Sequence, residues 1–559
     1  MPVTSSDRED GRIDAQEGAN DRTDASDRRA GRLDAAEIER AIETVIGERF
    51  DELETPGLSV AVVDGSATVL ATAFGDRQLD PTAPASADTL WGIGSATKPI
   101  TATAVMQLVE AGRVDLEDPV ASHVPYLADA PGEPITVGEL LTHTSGMPAD
   151  DMATVLLLES AFGDGVDETN AGNDEDRPAD GSESRTGGAT DDETGSDLDV
   201  SLGDWASFRE YVAAAADRRI DGEHCLYYNS GYVILGRLVE TVTDTPFAEY
   251  VRASIFDPLG MDRSTFDTAV LEDEDTDAMT AYYRDEDGFH AATLPDSPLF
   301  EPPGGLLAPV TDVARFLSAC IEGSLPLDPE LAERMREPVG TFRQLVDGRT
   351  LGYGHGWMSR PFDDDVLVEH AGGTGVSAGY LGFLEHRGLG VAIGCNAQPS
   401  PSPETLAVEL LAELTGTDVE DVLPRRAIER TARTVTGEYE SYPGIQRATV
   451  EWTGDRLEIE HRNPLGGDVV SLAPASLDPD EFVFRTSTGK GYDRTVEFVV
   501  DGESGGSRDD GTTDDADDVW FVLDRVRFDR VGPLEDDATD DAETGDVNEP
   551  LDATDDAED

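Results

Sequence analysis

Three acidic stretches with almost no large apolar side chains limit where this 559-residue chain can build a core: residues 1–33, about 163–200, and 532–559. A segment of that composition cannot bury enough apolar surface to offset the entropy lost on ordering. They are therefore expected to be a disordered tail, a disordered surface insertion and a second disordered tail. A shorter acidic loop is expected at about 503–518. The rest is too long for one compact core and divides by texture. Residues 34–420 mix helical and strand periodicities, and residues 433–531 read as short strands only.

The charge balance excludes whole classes of partner. Acidic residues outnumber basic ones 118 to 41, for a formal net charge of −77. Such a field repels nucleic acid and anionic membrane surfaces, so neither is an expected partner. The Asp-rich, Lys-poor composition resembles proteins of extreme halophiles, where salt screens self-repulsion. That describes an environment and leaves function open. The cysteines, Cys225, Cys320 and Cys395, are widely spaced and odd in number. They form neither a disulfide framework nor a metal motif and are read as small buried hydrophobes, so no metal or cofactor is implied. The N-terminus lacks an apolar signal core and no run is long enough to span a bilayer; a cytoplasmic protein is the default expectation.

Along the first region, AAEIERAIETVIGERF has helical spacing, and two β-branched runs flank Asp64-Gly65 as a hairpin. ATKPITATAVMQLVEAG reads as a helix stopped by Gly112. Helices recur at LGDWASFREYVAAAADR, SGYVILGRLVETVTD and TDVARFLSACIEG. They are followed by three strands, DDVLVEHAGG, AGYLGFLEH and LGVAIGCN, and a closing helix, SPETLAVELLAELTG. This order predicts a sheet completed by N- and C-terminal segments around a helical insertion. From 433, seven runs ending in VWFVLDRVRFDRV predict an all-β barrel or sandwich.

Ser95-Ala96-Thr97-Lys98 opens the predicted helix, where positions three apart share a face. The free amides of a helix start favour negative charge near the serine. The chain contains only two lysines, Lys98 and Lys490, yet it keeps one here. A desolvated lysine can serve as a base; arginine cannot. Alone, the pair fits an exposed lysine on a first turn equally well. Ser487 and Lys490 repeat the spacing, but in a Gly-flanked turn between strands. Gly375-Val376-Ser377-Ala378-Gly379 matches a nucleophile elbow but precedes a hairpin where that motif needs a helix.

Two further runs follow in order: Tyr227-Tyr228-Asn229-Ser230-Gly231-Tyr232 before a helix, and His370-Ala371-Gly372-Gly373 at a strand end. Ser-x-x-Lys, Tyr-x-Asn and His-x-Gly in this order resemble the serine β-lactamase and penicillin-binding-protein superfamily, in its class C-like branch. The segments ITVGELLTHTSGMP, PPGGLLAPVTDVARF and LGYGHGW share the resemblance, which covers about residues 37–418. The resemblance implies an α/β (α+β) fold: an antiparallel sheet flanked by helices, with a helical subdomain. It also implies a serine hydrolase that works through an acyl-enzyme. Ser95 would be the nucleophile, with Lys98 in its proton network and Tyr227 as general base. Asn229 would hold substrate or lysine, and His370 would replace the lysine of the better-known Lys-Thr-Gly motif. Amides of Ser95 and Gly373, beside Gly372, would form the oxyanion hole. The lysine is expected to lower the Tyr227 phenol pKa. His143 is read as structural, and His355 as packing beside the cleft.

The C-terminal strands resemble the lipocalin-like domains of some relatives. A small ester, amide or peptide is the implied substrate, with oligomeric state open. A non-catalytic binding or sensory member of the superfamily is the alternative, and a structural surface protein is a weaker one.

Overall fold

The computed structural model describes residues 33–148, 152–162, 202, 204–220, 225–345, 347–453 and, with short breaks, 456–501 and 518–534. The acidic segments discussed above lie almost entirely outside these residues, as does Lys490. The chain divides into two compact units, Met1–Leu423 and Pro424–Asp559.

Nine antiparallel strands organise the first unit: Gly57–Asp64 (β1), Ala67–Leu79 (β2), Thr82–Pro84 (β3), Gly340–Gln344 (β4), Thr350–Tyr353 (β5), Met358–Phe362 (β6), Asp365–Gly373 (β7), Ala378–Leu384 (β8) and Leu389–Cys395 (β9). Their order is β3-β2-β1-β9-β8-β7-β6-β5-β4. The β1–β9 pairing, with Leu58 opposite Cys395 and Val63 opposite Gly390, joins the two ends of the unit around the helical insertion, as expected. Five helices matter for the site and its support: Ala35–Val45 (α1), Lys98–Glu110 (α2), Asn229–Thr243 (α3), Val310–Glu322 (α4) and Pro403–Thr415 (α5).

The central strand β1 is buried on both faces, and its alternation sorts side chains between two layers. Leu58, Val60 and Val62 pack with Ile38 and Ile42 of α1 and Leu406 and Leu410 of α5. Ala61 and Val63 face Val313, Phe316 and Leu317 of α4 in a cluster that continues through α2 and α3. The β1–β2 hairpin turns at Gly65, whose φ of 62° suits glycine. Strands β4–β6 were not anticipated from the sequence. Their side chains mix apolar and polar without a clean alternation, and Pro361 interrupts β6.

In the second unit, eight strands from Gly437–Ser441 to Val526–Gly532 close into a barrel. Only seven runs are legible in the sequence because VWFVLDRVRFDRV looks continuous. It is two strands, Asp518–Leu523 and Val526–Gly532, reversed at Arg525 with φ 72°. The even number lets first and last strands pair antiparallel. An eight-stranded barrel is just wide enough for side chains to fill: Tyr439, Leu457, Phe484, Phe498, Phe521 and Phe528 do so, joined by Ala432 and Val435 of the helix Pro424–Val435. Among the described residues, no helix is long and apolar enough to cross a membrane.

Candidate active site

A 3-10 turn, Gly94–Thr97, runs directly into α2, with Pro99 in the first helical turn where its missing N–H costs nothing. Lys98 is fully buried. Its Nζ donates to Asn229 Oδ1 at 2.8 Å and to the Pro303 carbonyl at 2.8 Å, and it lies 2.9 Å from Ser95 Oγ. The first two partners can only accept. Ser95 Oγ differs: it accepts from an ammonium or donates to a neutral amine. The same geometry therefore serves both charge states of the lysine, and a change between them moves a proton along the Ser95–Lys98 line. A buried ammonium is costly unless it is hydrogen-bonded, and these partners supply such bonds.

Tyr227 and Asn229 reach this lysine from the start of α3. Asn229 is the first helical residue, and Tyr228 before it is extended. The Tyr227 phenol is hydrogen-bonded to Ser95, and Lys98 Nζ stands 4.7 Å from the centre of its ring. Burial raises the phenol above its ordinary value, and the bond to Ser95 opposes that only in part. This direction corrects the expectation of a lowered phenol. Lys98 Nζ is hydrogen-bonded to Ser95, Asn229 and Pro303 and stands over the ring face. Of the two adjacent tyrosines, Tyr228 packs into the core of the unit. Ser95, Tyr227 and Asn229 are each half-buried, so the site is reachable from solvent while the lysine is not.

The end of β7 forms the opposite wall. Gly372 meets the serine turn so closely that a Cβ would lie 2.0 Å from the Ile93 carbonyl and 2.6 Å from the Ser95 amide nitrogen. At Gly94, with φ 55°, a Cβ would lie 2.8 Å from the Gly373 amide nitrogen. Only hydrogen fits at these contacts, and they bring the Ser95 and Gly373 amides to one place. His370, two residues earlier, is buried. Its Nδ1 lies 2.7 Å from the Ala371 carbonyl and its Nε2 3.0 Å from the Tyr353 hydroxyl. A carbonyl only accepts, so Nδ1 carries the proton and Nε2 accepts from Tyr353. Desolvation, then the neighbouring Lys98, push the imidazole down to about 3, so it is neutral. This wall therefore offers no fixed positive charge.

The elbow-like Ser377 is fully buried, its Oγ donating to the Gly92 carbonyl at 2.8 Å and lying 2.9 Å from Thr374 Oγ1. Strand β8 follows it, not a helix. Ser487 ends a barrel strand. His355 is buried in the β5–β6 turn, its backbone amide donating to the Met335 carbonyl. Cys320 and Cys395 are buried and Cys225 is half-buried, all three as free thiols. Sequence reasoning missed the Pro303 carbonyl, Tyr353 and Tyr232. Tyr353 and Pro303 sit inside quoted family segments, and Tyr232 ends the tyrosine-rich run, so position was the available signal.

The fold agrees with that of related proteins. The Beta-lactamase family profile matches residues 42–415. The chain belongs to the Beta-lactamase family. The Pab87 octamerisation domain profile matches residues 419–528. The chain is 29% identical over 406 residues to penicillin-binding protein 4 of Amycolatopsis lactamdurans, covering 67% of this chain and 91% of that protein. The octameric penicillin-binding protein homologue from Pyrococcus abyssi superposes with a TM-score of 0.70 at 28% identity, covering 89% of this chain and all of that one. The D-alanine carboxypeptidase AmpC from Burkholderia cenocepacia shares the fold, with a TM-score of 0.51 at 18% identity over 69% of this chain and all of that one. This is a chain of the serine-hydrolase superfamily of β-lactamases and penicillin-binding proteins.

Proposed function

We propose that the chain cleaves an ester or an amide/peptide bond through an acyl-enzyme on Ser95. The supporting observation is the buried Lys98 Nζ: it donates to two obligate acceptors, Asn229 Oδ1 and the Pro303 carbonyl, and lies 2.9 Å from the Ser95 hydroxyl. Ser95 Oγ attacks the substrate carbonyl while its proton passes to the Lys98–Tyr227 pair. The oxyanion is received by the amides of Ser95 and Gly373, donors that each contribute about 3–4 kcal/mol in comparable sites. Collapse breaks the bond to the leaving group, which takes the proton back from the pair. Water, deprotonated by the same pair, then releases the acid and restores Ser95. With its phenol raised by burial, Tyr227 acts as a neutral proton carrier; Lys98 supplies the base. Asn229 holds Lys98. The neutral His370 favours substrates without a carboxylate at that wall.

A panel of p-nitrophenyl esters, D-aminoacyl anilides and a chromogenic cephalosporin tests the reading. At least one substrate is turned over by wild type and not by Ser95→Ala. Equal turnover by both proteins contradicts it, and loss in Ser377→Ala alone transfers the role to the elbow serine.

The octamerisation-domain match and the octameric relative support an oligomer built through the barrel unit. Its outer surface carries Tyr442, 96% exposed, with Ile445, Val469 and Val531 more than half exposed. Light scattering on the full chain reads the assembly; a strict monomer at working concentration and salt excludes it.

A further inference from the structure

His143 lies in the turn after the short helix Val137–Leu141, and the proposed chemistry gives it no part. It is fully buried, and its backbone is left-handed, with φ 58°. A non-glycine residue adopts that conformation only when its surroundings enforce it. Two hydrogen bonds do so here, and they bracket one residue. The His143 carbonyl accepts the Leu226 amide at 2.9 Å, and His143 Nδ1 accepts the Tyr228 amide at 3.0 Å. Tyr227 lies between those two amides. The His143 ring also packs on the Tyr227 ring, with centres 4.3 Å apart, and touches the rings of Tyr353 at 4.6 Å and Tyr232 at 5.3 Å.

Because Nδ1 accepts an amide N–H, the neutral ring carries its proton on Nε2. That N–H has no hydrogen-bond partner among the described residues. Desolvation, then Lys98 and His370, hold the imidazole well below its ordinary value, so it stays neutral over the working pH range. A residue in strained backbone that satisfies both amides around Tyr227, at the expense of its own Nε2–H, is more than filler.

We propose that His143 is the positioning residue for Tyr227, fixing the phenol against Ser95 and Lys98 by holding the backbone on either side of it. The inference rests on Tyr227 carrying the proton. His143→Phe keeps a ring but removes the Nδ1 acceptor; His143→Asn keeps an acceptor near that place, and asparagine tolerates the left-handed backbone. Both are made in wild type and in the Tyr227→Phe background. Turnover of the best substrate in the panel is normalised to folded protein by calorimetry. A displacement of about 1 Å costs on the order of 100-fold in rate. His143→Phe should lose about that in kcat with little change in KM, and His143→Asn should recover at least tenfold of it. In the Tyr227→Phe background neither substitution should lower kcat further. The pH–rate limbs of His143→Asn should match wild type.

Equal losses in both backgrounds would mark a merely structural residue and overturn the proposal. A limb near neutrality that vanishes in His143→Asn would do the same, by making His143 a titrating group. Should His143→Phe fail to fold, His143→Asn in the two backgrounds still decides. Wild-type kcat in Tyr227→Phe alone would instead refute Tyr227 as proton carrier, a different failure.

Discussion

In the first unit Lys98, His143, Arg360, Glu369 and His370 are all buried, whereas among the described residues of the barrel unit the buried polar side chains are Thr431 and Ser441. Both units have dense aromatic cores, so the contrast does not come from the amount of apolar surface. Burying a charge or an imidazole costs stability unless it is paired, and the first unit is the one that carries those costs. On β7 the alternation separates them. His370 faces Tyr353 and Lys98, while Glu369 faces Arg360 at 2.7 Å and accepts from the Tyr380 hydroxyl. Desolvation raises the Glu369 carboxyl to about 7 against the pull of Arg360. Among its described residues the barrel unit fills its interior with apolar side chains. The first unit departs from that pattern at the proposed site and again at Arg360 and Glu369.

The sharpest test of this contrast replaces the buried Lys98 amino group by an apolar side chain of similar length. Lys98→Met should lower kcat by about 10⁴-fold, as loss of a member of a cooperating catalytic set does. Its thermal midpoint should hold or rise, because replacing a buried charge with an apolar group is often neutral or stabilising. A drop of many degrees would show that Lys98 holds the fold together. In the barrel the signs reverse: Phe521→Ala should destabilise that unit by about 3–5 kcal/mol, measured by urea unfolding. The rate of fluorophosphonate labelling at Ser95 should stay within twofold while the protein is folded; a large loss would tie the two units together.

Gly372→Ala sets a methyl against the Ile93 carbonyl and Ser95 amide. It should cost about 100-fold in kcat with secondary structure intact by circular dichroism; wild-type turnover would remove Gly372 from the site. The smallest effect is in acid. The His370 pKa is depressed in the folded protein, from 6.5 to about 3. The unfolded chain therefore takes up a proton that the folded one refuses. The stability due to that neutrality is fully present above pH 6.5 and is lost as pH falls toward 3. The slope is about 1.4 kcal/mol per pH unit. His370→Gln should flatten the fall between pH 6 and 5 by that amount in urea titrations, and an unchanged slope would mean the ring is charged in the native site.

The sequence made Ser95 and Lys98 legible because an almost lysine-free chain keeps one of its two lysines at a helix start. Tyr227, Asn229 and His370 became legible through their order. The Pro303 acceptor did not, since a main-chain carbonyl has no signature in the side-chain code. Nor did the role of His143: its left-handed backbone and its grip on the amides beside Tyr227 arise from contacts 83 and 85 residues apart in sequence. The raised phenol of Tyr227 depends on desolvation, opposed in part by Ser95, and both are three-dimensional quantities. The eighth barrel strand was hidden because Arg525 makes a turn where glycine or asparagine would have announced one.

The central claim is that one serine becomes covalently acylated. Intact-mass spectrometry of the full chain, acid-quenched during turnover of an activated ester, tests it directly. A gain equal to the acyl group is expected, mapped by peptide analysis to Ser95, absent in Ser95→Ala and lost as substrate is exhausted. Turnover with no adduct on any quench timescale, or an adduct on another residue, would contradict it.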